Sequence, residues 1–284
     1  MLSLAGMNRI DGIFANLRSA APPGKALMPF LTAGDPDVAT TARLLPAIAA
    51  AGAGICELGI PFSDPVADGP VIQASMTRAL DRKITVSQIF EAVAQQRSRV
   101  QMGLVAMVSY SIVYRLGART FVQQAQQAGF DGFIFPDLPL EESAQVIDTV
   151  RDRGLICSLL IAPATPIERA EKIAAASSGF VYLLSRAGIT GEQAALAPEL
   201  PGMVERLRSV TDLPIAVGFG ISSAQQVRQV VAVADAAIVG SAIVRRIAEH
   251  AAAGPQRVVE EVSRFVAELA TGLGDQAPTT ASHR

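Results

Sequence analysis

Short apolar runs alternate with segments of helical periodicity along most of the chain. The runs are eight in number: ALMPFLTAG, ICELGIPF, MGLVAMVSY, GFIFPDLP, ICSLLIAP, FVYLLSRAG, PIAVGFG and AAIVGSAIV. The segments between them, such as VSQIFEAVAQQRSRV, repeat apolar residues every three or four positions. Continuous apolar strands joined by helices are typical of a parallel sheet covered by helices, and eight such units predict an α/β fold, a (β/α)8 TIM barrel. A doubly wound open sheet is the alternative.

The two ends of the chain predict additions to this barrel. MLSLAGMNRIDGIFANLRSAAPPGK has an amphipathic helical pattern, so we expect an extra N-terminal helix that covers the bottom of the barrel. A short phosphate-binding helix is expected after the eighth strand. No linker rich in Pro, Gly or Ser divides the middle of the chain. We therefore predict a single barrel domain over residues 1–270 and a disordered polar tail over 271–284.

Composition narrows the class of protein. Half of the 284 residues are hydrophobic and 18% are charged, which allows a large buried core. A net charge of -2 without a basic block argues against a nucleic-acid or membrane partner. Cys56 and Cys157 lie inside apolar runs and read as buried reduced thiols. With no continuous apolar span of 18 residues, we expect a cytoplasmic protein that is neither secreted nor membrane-spanning.

Two carboxylates lie where the second apolar run passes into a loop rich in Pro and Gly. Strand alternation places Glu57 on the opposite face from Cys56 and Leu58, and so toward the barrel interior, with small Gly59 above it leaving room for a ligand. Asp68 follows in the loop. A buried and a more exposed carboxyl group suit acid-base chemistry. The alternatives are a structural glutamate satisfied by loop amides and a solvated or capping aspartate.

Glycines close the last two predicted strands. Gly218 and Gly220 end the seventh, and Gly240 with Ser241 ends the eighth and opens the helix SAIVRRIAEH. Turn geometry is the more frequent explanation of each glycine pair taken alone, but both pairs together at the last two strands favour a phosphate site, since backbone amides at this place in barrels commonly bind phosphate. The loop SRAGITG, after the sixth strand, adds a flexible wall to the site.

The sequence lacks the residues that several metal and cofactor chemistries require at the mouth of the barrel. The two histidines, His250 and His283, both follow the last predicted strand, so no histidine metal site can form at the mouth. Lys25, Lys83 and Lys172 do not end strands, which leaves no Schiff-base nucleophile. The residues thus predict a lyase or isomerase without a cofactor or metal that acts on a phosphorylated compound.

The stretch from Glu57 to Gly69, ELGIPFSDPVADG, resembles the signature of the tryptophan synthase alpha subunit family. The resemblance continues in order through PFLTAGDPD, GFIFPDLPLEE, LIAPATP, YLLSRAGITG, GFGIS and GSAIV. It implies retro-aldol cleavage of indole-3-glycerol phosphate to indole and glyceraldehyde 3-phosphate, in tryptophan biosynthesis. Glu57 would be the acid-base residue, and Asp68 would accept from the indole N–H.

The same resemblance implies the rest of the site. Tyr110, taken as the end of the third strand, and Tyr182, in the sixth, match aromatic positions of the indole pocket. Thr190 matches a threonine of the sixth loop that meets the catalytic aspartate on closure. The remaining matches belong to the GITG, GFGIS and GSAIV segments and would bind substrate and its phosphate: Gly188, Phe219, Gly220, Gly240 and Ser241.

The family's partner is a pyridoxal-phosphate beta subunit in an alpha2beta2 heterotetramer, and the cofactor belongs to that subunit. Asp64 and the turn from Asp137 to Pro139 match segments near the interface. Ser111-Ile112 replaces the usual Asn-Pro, and Glu192-Gln193 replaces the usual Ala-Arg. A stand-alone indole-releasing lyase and a non-catalytic regulatory partner of the beta subunit remain alternatives.

Overall fold

The computed structural model describes residues 7–65, 68–185, 197–218 and 220–274. Nine strands form one sheet in the order β5-β4-β3-β2-β1-β9-β8-β7-β6. Every neighbouring pair is parallel. The strands are β1 Ala26–Thr32, β2 Ile55–Gly59, β3 Gly103–Met107, β4 Gly132–Ile134, β5 Ile156–Ser158, β6 Leu160–Ile161, β7 Val181–Leu184, β8 Ile215–Gly218 and β9 Ala236–Val239.

The two ends of the sheet belong to one stretch of chain. Only Leu159 separates β5 from β6, so the fifth predicted strand appears as two segments that close the sheet on itself. Neighbours along the chain are neighbours in the sheet all the way round. A doubly wound sheet reverses its strand order at a switch point, and this one does not. The barrel prediction is confirmed, and the open-sheet alternative is wrong.

Helices follow the strands on the outside. Their bounds are α1 Arg9–Ser19, α2 Val38–Ala50, α3 Pro70–Asp81, α4 Val86–Gln96, α5 Tyr110–Leu116, α6 Ala118–Ala128, α7 Ala144–Arg151, α8 Ile167–Ala176, α9 Leu200–Arg208, α10 Ala224–Val231, α11 Ser241–His250 and α12 Pro255–Ala270. Periodicity located most of them but did not single out α3, which begins directly after the Pro- and Gly-rich loop, or the short α5.

Side chains divide between the inside of the barrel and the layer under the helices. Ile55 belongs to the inner cluster, together with Met28 of β1 and Val105 of β3. Cys56 and Leu58 belong to the outer cluster, which packs on the helices. Because successive strand residues point to opposite faces, Glu57 faces the interior, as the alternation predicted.

The N-terminal helix covers the end of the barrel where the strands begin. Ile10 and Phe14 of α1 are buried in the inner cluster. The ring of Phe14 lies 6.1 Å from that of Phe180, between ring centroids. The predicted bottom cap is confirmed.

At the C-terminus of the chain, the barrel domain extends past residue 270. A 3-10 turn, Thr271–Leu273, follows α12. Arg228 of α10 donates to the carbonyl of Thr271 at 3.3 Å, and Gly272 lies against Ala224 and Val227. The tail predicted from residue 271 therefore begins too early, and residues 275–284 lie outside the described residues. No helix among the described residues is both long and apolar enough to cross a membrane.

Candidate active site

Glu57 is a buried carboxyl group near the end of its strand. It lies near the C-terminal end of β2, between Phe30 of β1 and Val105 of β3 in the sheet register, and its exposed fraction is 0%. Neither side-chain oxygen has a hydrogen-bond partner among the described residues. Burial, and then the charge of Asp68, raise its pKa to about 8. In the part of the chain that the structure describes, no loop amide bonds this carboxyl group, as the alternative of a structural glutamate would require.

Asp68 and Tyr182 share the electrostatic environment of Glu57. Burial raises the pKa of Asp68 to about 6. The pKa of Tyr182 is raised well above its ordinary value by burial first, and then by Glu57 and Asp68. Tyr182 belongs to the inner cluster on β7, the sixth strand position of the barrel. At neutral pH the two pKa values leave Glu57 largely protonated and Asp68 largely ionised, as an acid-base pair requires.

Phe30 is a residue at the mouth that the sequence did not single out. A Cβ added to Gly59 would lie 2.5 Å from the ring of Phe30 and 3.3 Å from Met76. The small residue above Glu57 therefore makes room for an aromatic ring of the protein, and the prediction that Gly59 leaves space for a ligand is wrong. Phe30 packs with Ile72, Met76 and Val244 around the mouth.

One cavity joins the loops that follow β2, β3 and β4. Its volume is about 540 Å³. Asp64, Asp68 and Asp137 line it, with Met107 and Ser109 among the other lining residues. Two residues predicted at the partner interface thus lie around the same cavity as Asp68. Pro139 is exposed and precedes the 3-10 turn Leu140–Glu142.

Tyr110 does not end a strand. It is the first residue of α5, and its ring packs against Phe135 of the outer cluster, 6.2 Å away between centroids. The buried neighbour Ser109 lines the cavity instead, and its hydroxyl bonds the carboxylate of Asp137 at 2.5 Å. Asp137 also accepts from the backbone N–H of Tyr110 at 2.8 Å. Because β3 already ends at Met107, strand alternation does not set the direction of the Tyr110 side chain.

The glycines of the last two loops have different physical roles. Gly240 precedes α11, and Ser241 is the first residue of that helix, so the N–H groups with which the helix begins lie at the strand ends. Gly220 has φ +78°, a conformation that favours glycine. At Gly218 a Cβ would lie 2.5 Å from the hydroxyl of Tyr182, so this glycine accommodates the tyrosine.

Three predicted binding residues fall outside the described residues: Gly188, Thr190 and Phe219. The departures at Glu192 and Gln193 fall there as well. The sequence reasoning also missed Ser158. It is fully buried on the inner face of β5, and its hydroxyl has no partner among the described residues. A serine inside an otherwise apolar strand was the signal that could have found it.

A closed parallel barrel with a buried carboxyl group and a second carboxylate at its mouth is the arrangement of a (β/α)8-barrel enzyme with its site at the C-terminal ends of the strands. A family model described as tryptophan synthase alpha chain matches residues 14–273. The tryptophan synthase alpha chain of Acaryochloris marina is 44% identical over 268 residues, which are 94% of this chain and 98% of the relative. That of Rhodopirellula baltica is 46% identical over 246 residues, which are 86% and 88%.

Solved structures of the same family are also similar to this chain. Tryptophan synthase subunit alpha from Legionella pneumophila has a TM-score of 0.84 at 34% identity, covering 94% of this chain and 98% of its own. A chain of Mycobacterium tuberculosis tryptophan synthase has the same TM-score at 33% identity, with the same coverage. The chain belongs to the tryptophan synthase alpha chain family, a family of lyases in tryptophan biosynthesis.

Proposed function

We propose that this chain cleaves the carbon–carbon bond of indole-3-glycerol phosphate, releasing indole and glyceraldehyde 3-phosphate. The observation that carries the proposal is the carboxyl group of Glu57, buried and unbonded among the described residues, with Asp68 beside it. A group with a pKa of about 8 can both donate and accept a proton near neutral pH. Retro-aldol cleavage needs both transfers.

Glu57 enters the reaction protonated. Its proton passes to the indole carbon that bears the glycerol chain, while the Asp68 carboxylate accepts from the ring N–H and offsets the positive charge on the ring. The Glu57 carboxylate then takes the proton of the hydroxyl nearest the ring. The carbon–carbon bond breaks and its electron pair returns to the ring. The electron pair left on the oxygen by the O–H bond forms the C=O bond of the aldehyde. Glu57 ends the cycle protonated.

The phosphate end of the substrate would lie at the loops after β8 and β9. Gly240 and Ser241 at the start of α11 offer backbone N–H groups, and Gly220 lies in the neighbouring loop. Calorimetry with glycerol phosphate analogues tests this placement. Gly240→Val should weaken binding of the phosphorylated analogue, whereas equal affinity for the dephosphorylated analogue would mean that the phosphate binds elsewhere.

Tyr182, Gly188, Thr190 and Phe219 would complete the substrate site, whereas the ring of Tyr110 packs against Phe135 in the outer cluster. We assign the chain no cofactor of its own. Its partner would be the pyridoxal-phosphate beta subunit of a cytoplasmic alpha2beta2 heterotetramer. Asp64 and Asp137, which line the cavity at the mouth, would contribute to that interface together with Pro139. A beta subunit placed over the mouth would capture indole before this apolar product escapes.

The experiment is the rate of indole release by the chain alone and across a titration with its own beta subunit. We expect slow release alone and acceleration of at least about tenfold, or roughly 1.4 kcal/mol of barrier. Because Glu192 and Gln193 depart from the family pattern, a beta subunit from a distant source should activate less. An unchanged rate with its own subunit would favour the stand-alone lyase. No release under either condition would favour the regulatory partner.

A further inference from the structure

Helix α3 holds the backbone of Asp68 from the C-terminal side of the loop. Asp68 lies two residues before the helix begins at Pro70. Its carbonyl oxygen accepts a hydrogen bond from the side-chain amide of Gln73 at 2.7 Å, and the same amide nitrogen lies 3.5 Å from the carbonyl oxygen of Pro65. The N–H of Asp68 donates to that carbonyl of Pro65 at 3.1 Å. Gln73 therefore joins α3 to both sides of the turn that presents Asp68.

The helix is itself fixed to the end of β1. The guanidinium of Arg78 donates to both carboxylate oxygens of Asp35, at 2.9 and 2.7 Å. Asp35 has an exposed fraction of 0% and lies in the loop after β1. A bidentate pair with a buried carboxylate fixes orientation as well as distance. Asp35, a further acid at this end of the barrel, is thereby bound to Arg78.

A second bond ties the same helix to the same strand. The hydroxyl groups of Thr32 and Ser75 lie 2.6 Å apart, and both side chains are buried. Ser75 also bonds the carbonyl of Ile72 at 2.7 Å. With two attachments to β1, α3 is a rigid element beside Phe30 and Glu57, which are paired in the sheet.

We propose that Gln73 is a positioning residue for Asp68, with the Asp35–Arg78 pair as the anchor that fixes the helix from which Gln73 acts. A carboxylate that stabilises charge in a transition state must be held to within a fraction of an ångström, and small displacements reduce the rate strongly. Gln73 donates its bond to the backbone of the residue whose side chain must be held. This inference rests on the proposed function, because it requires Asp68 to act in the cleavage.

The test compares Gln73→Leu with Gln95→Leu. Both glutamines are exposed on helices, and Gln95 bonds only within α4, to Glu91 at 3.3 Å, among the bonds described. Cleavage of indole-3-glycerol phosphate should fall about tenfold in kcat/KM for Gln73→Leu and stay unchanged for Gln95→Leu. Gln73→Glu, which keeps the size of the side chain and loses the donor, should reproduce the loss.

A double-mutant cycle separates positioning from a general loss of structure. If Gln73 acts through Asp68, Gln73→Leu adds nothing to the loss caused by Asp68→Asn. Independent, multiplying losses would overturn the inference and leave the proposed function intact. A full rate for Gln73→Leu would also overturn it. A full rate for Asp68→Asn alone would instead contradict the proposed function.

Discussion

Buried carboxylates at the two ends of the barrel differ in their partners. Where the strands begin, Asp131 accepts from the backbone N–H of Leu104 at 2.8 Å and pairs with Arg9 at 3.3 Å and Arg97 at 3.5 Å. Where the strands end, Glu57 has no partner among the described residues for either oxygen. Both groups are buried in the same barrel.

This difference in partners distinguishes the roles of the two carboxylates. Asp131 bonds α1, the turn after α4 and the entry to β3 together, so its carboxylate has its partners within the fold. Asp235 does the same before β9, where it accepts from the N–H of Ile215 and pairs with Arg208. A buried acid with several partners maintains structure, whereas a buried acid without a partner among the described residues lowers stability, which makes Glu57 the candidate for chemistry.

The largest expected effect is that of Glu57→Gln on cleavage. We expect kcat to fall about 10³-fold, because the amide can neither give nor take the proton. Single-turnover indole release measures it, with Glu205→Gln on the exposed face of α9 as the matched control. A wild-type rate for Glu57→Gln would contradict the mechanism.

The same variant has a signature in stability. The folded-state pKa of Glu57 is about 8, so the unfolded chain releases this proton at lower pH than the folded chain does. The unfolding free energy of the wild type should therefore fall as the pH rises from the ordinary glutamate range to about 8. Urea titrations at several pH values should show that Glu57→Gln lacks this fall.

Asp68→Asn should reduce cleavage about 10²-fold, since it removes the charge that faces the developing indole cation. The fold should be unaffected, because the side chain is only partly buried in a loop. Steady-state kinetics with circular dichroism as a folding check measures both. A loss of less than threefold would assign the charge stabilisation to another group.

Asp131→Asn should have the opposite combination of effects, a loss of stability without a loss of activity. Weakening its bonds with Arg9 and Arg97 should lower the unfolding free energy by about 2 kcal/mol, or roughly 30-fold in the unfolding constant, without changing kcat of the folded protein. Urea unfolding and cleavage kinetics on one preparation test the contrast. A reduced kcat at unchanged stability would mean that the two ends are not separate in role.

The smallest effect is on the pH profile of kcat/KM. The value of kcat/KM should rise as Asp68 ionises through about pH 6 and fall as Glu57 loses its proton through about pH 8. Below the lower pKa and above the higher one, it should change about tenfold per pH unit. The substrate phosphate also titrates at about pH 6. The part of the acid limb that is absent in Asp68→Asn therefore belongs to Asp68, and an identical limb in that variant would assign it to the phosphate.

Much of this architecture could be predicted from local pattern. The periodicity of PQRVVEEVSRFVAELA coincides with the bounds of α12, and alternation in β2 placed Glu57 inside the barrel. The errors arose at positions whose surroundings are set by residues distant in the sequence. Gly59 was interpreted as room for a ligand, yet the ring of Phe30 occupies that place, and Gly218, expected at a phosphate site, lies against the hydroxyl of Tyr182. No spacing along the chain encodes either contact.

The sequence by itself determined the alternation of strands and helices, the inward face of Glu57 and the family signature around it, because these depend on residues close together in the chain. Tertiary structure alone decided that Ser109 rather than Tyr110 lines the cavity and that Arg78 binds Asp35. It also decided which buried carboxylates are partnered. Such features depend on side chains brought together from distant segments, where the direction of a single Cβ determines which groups meet.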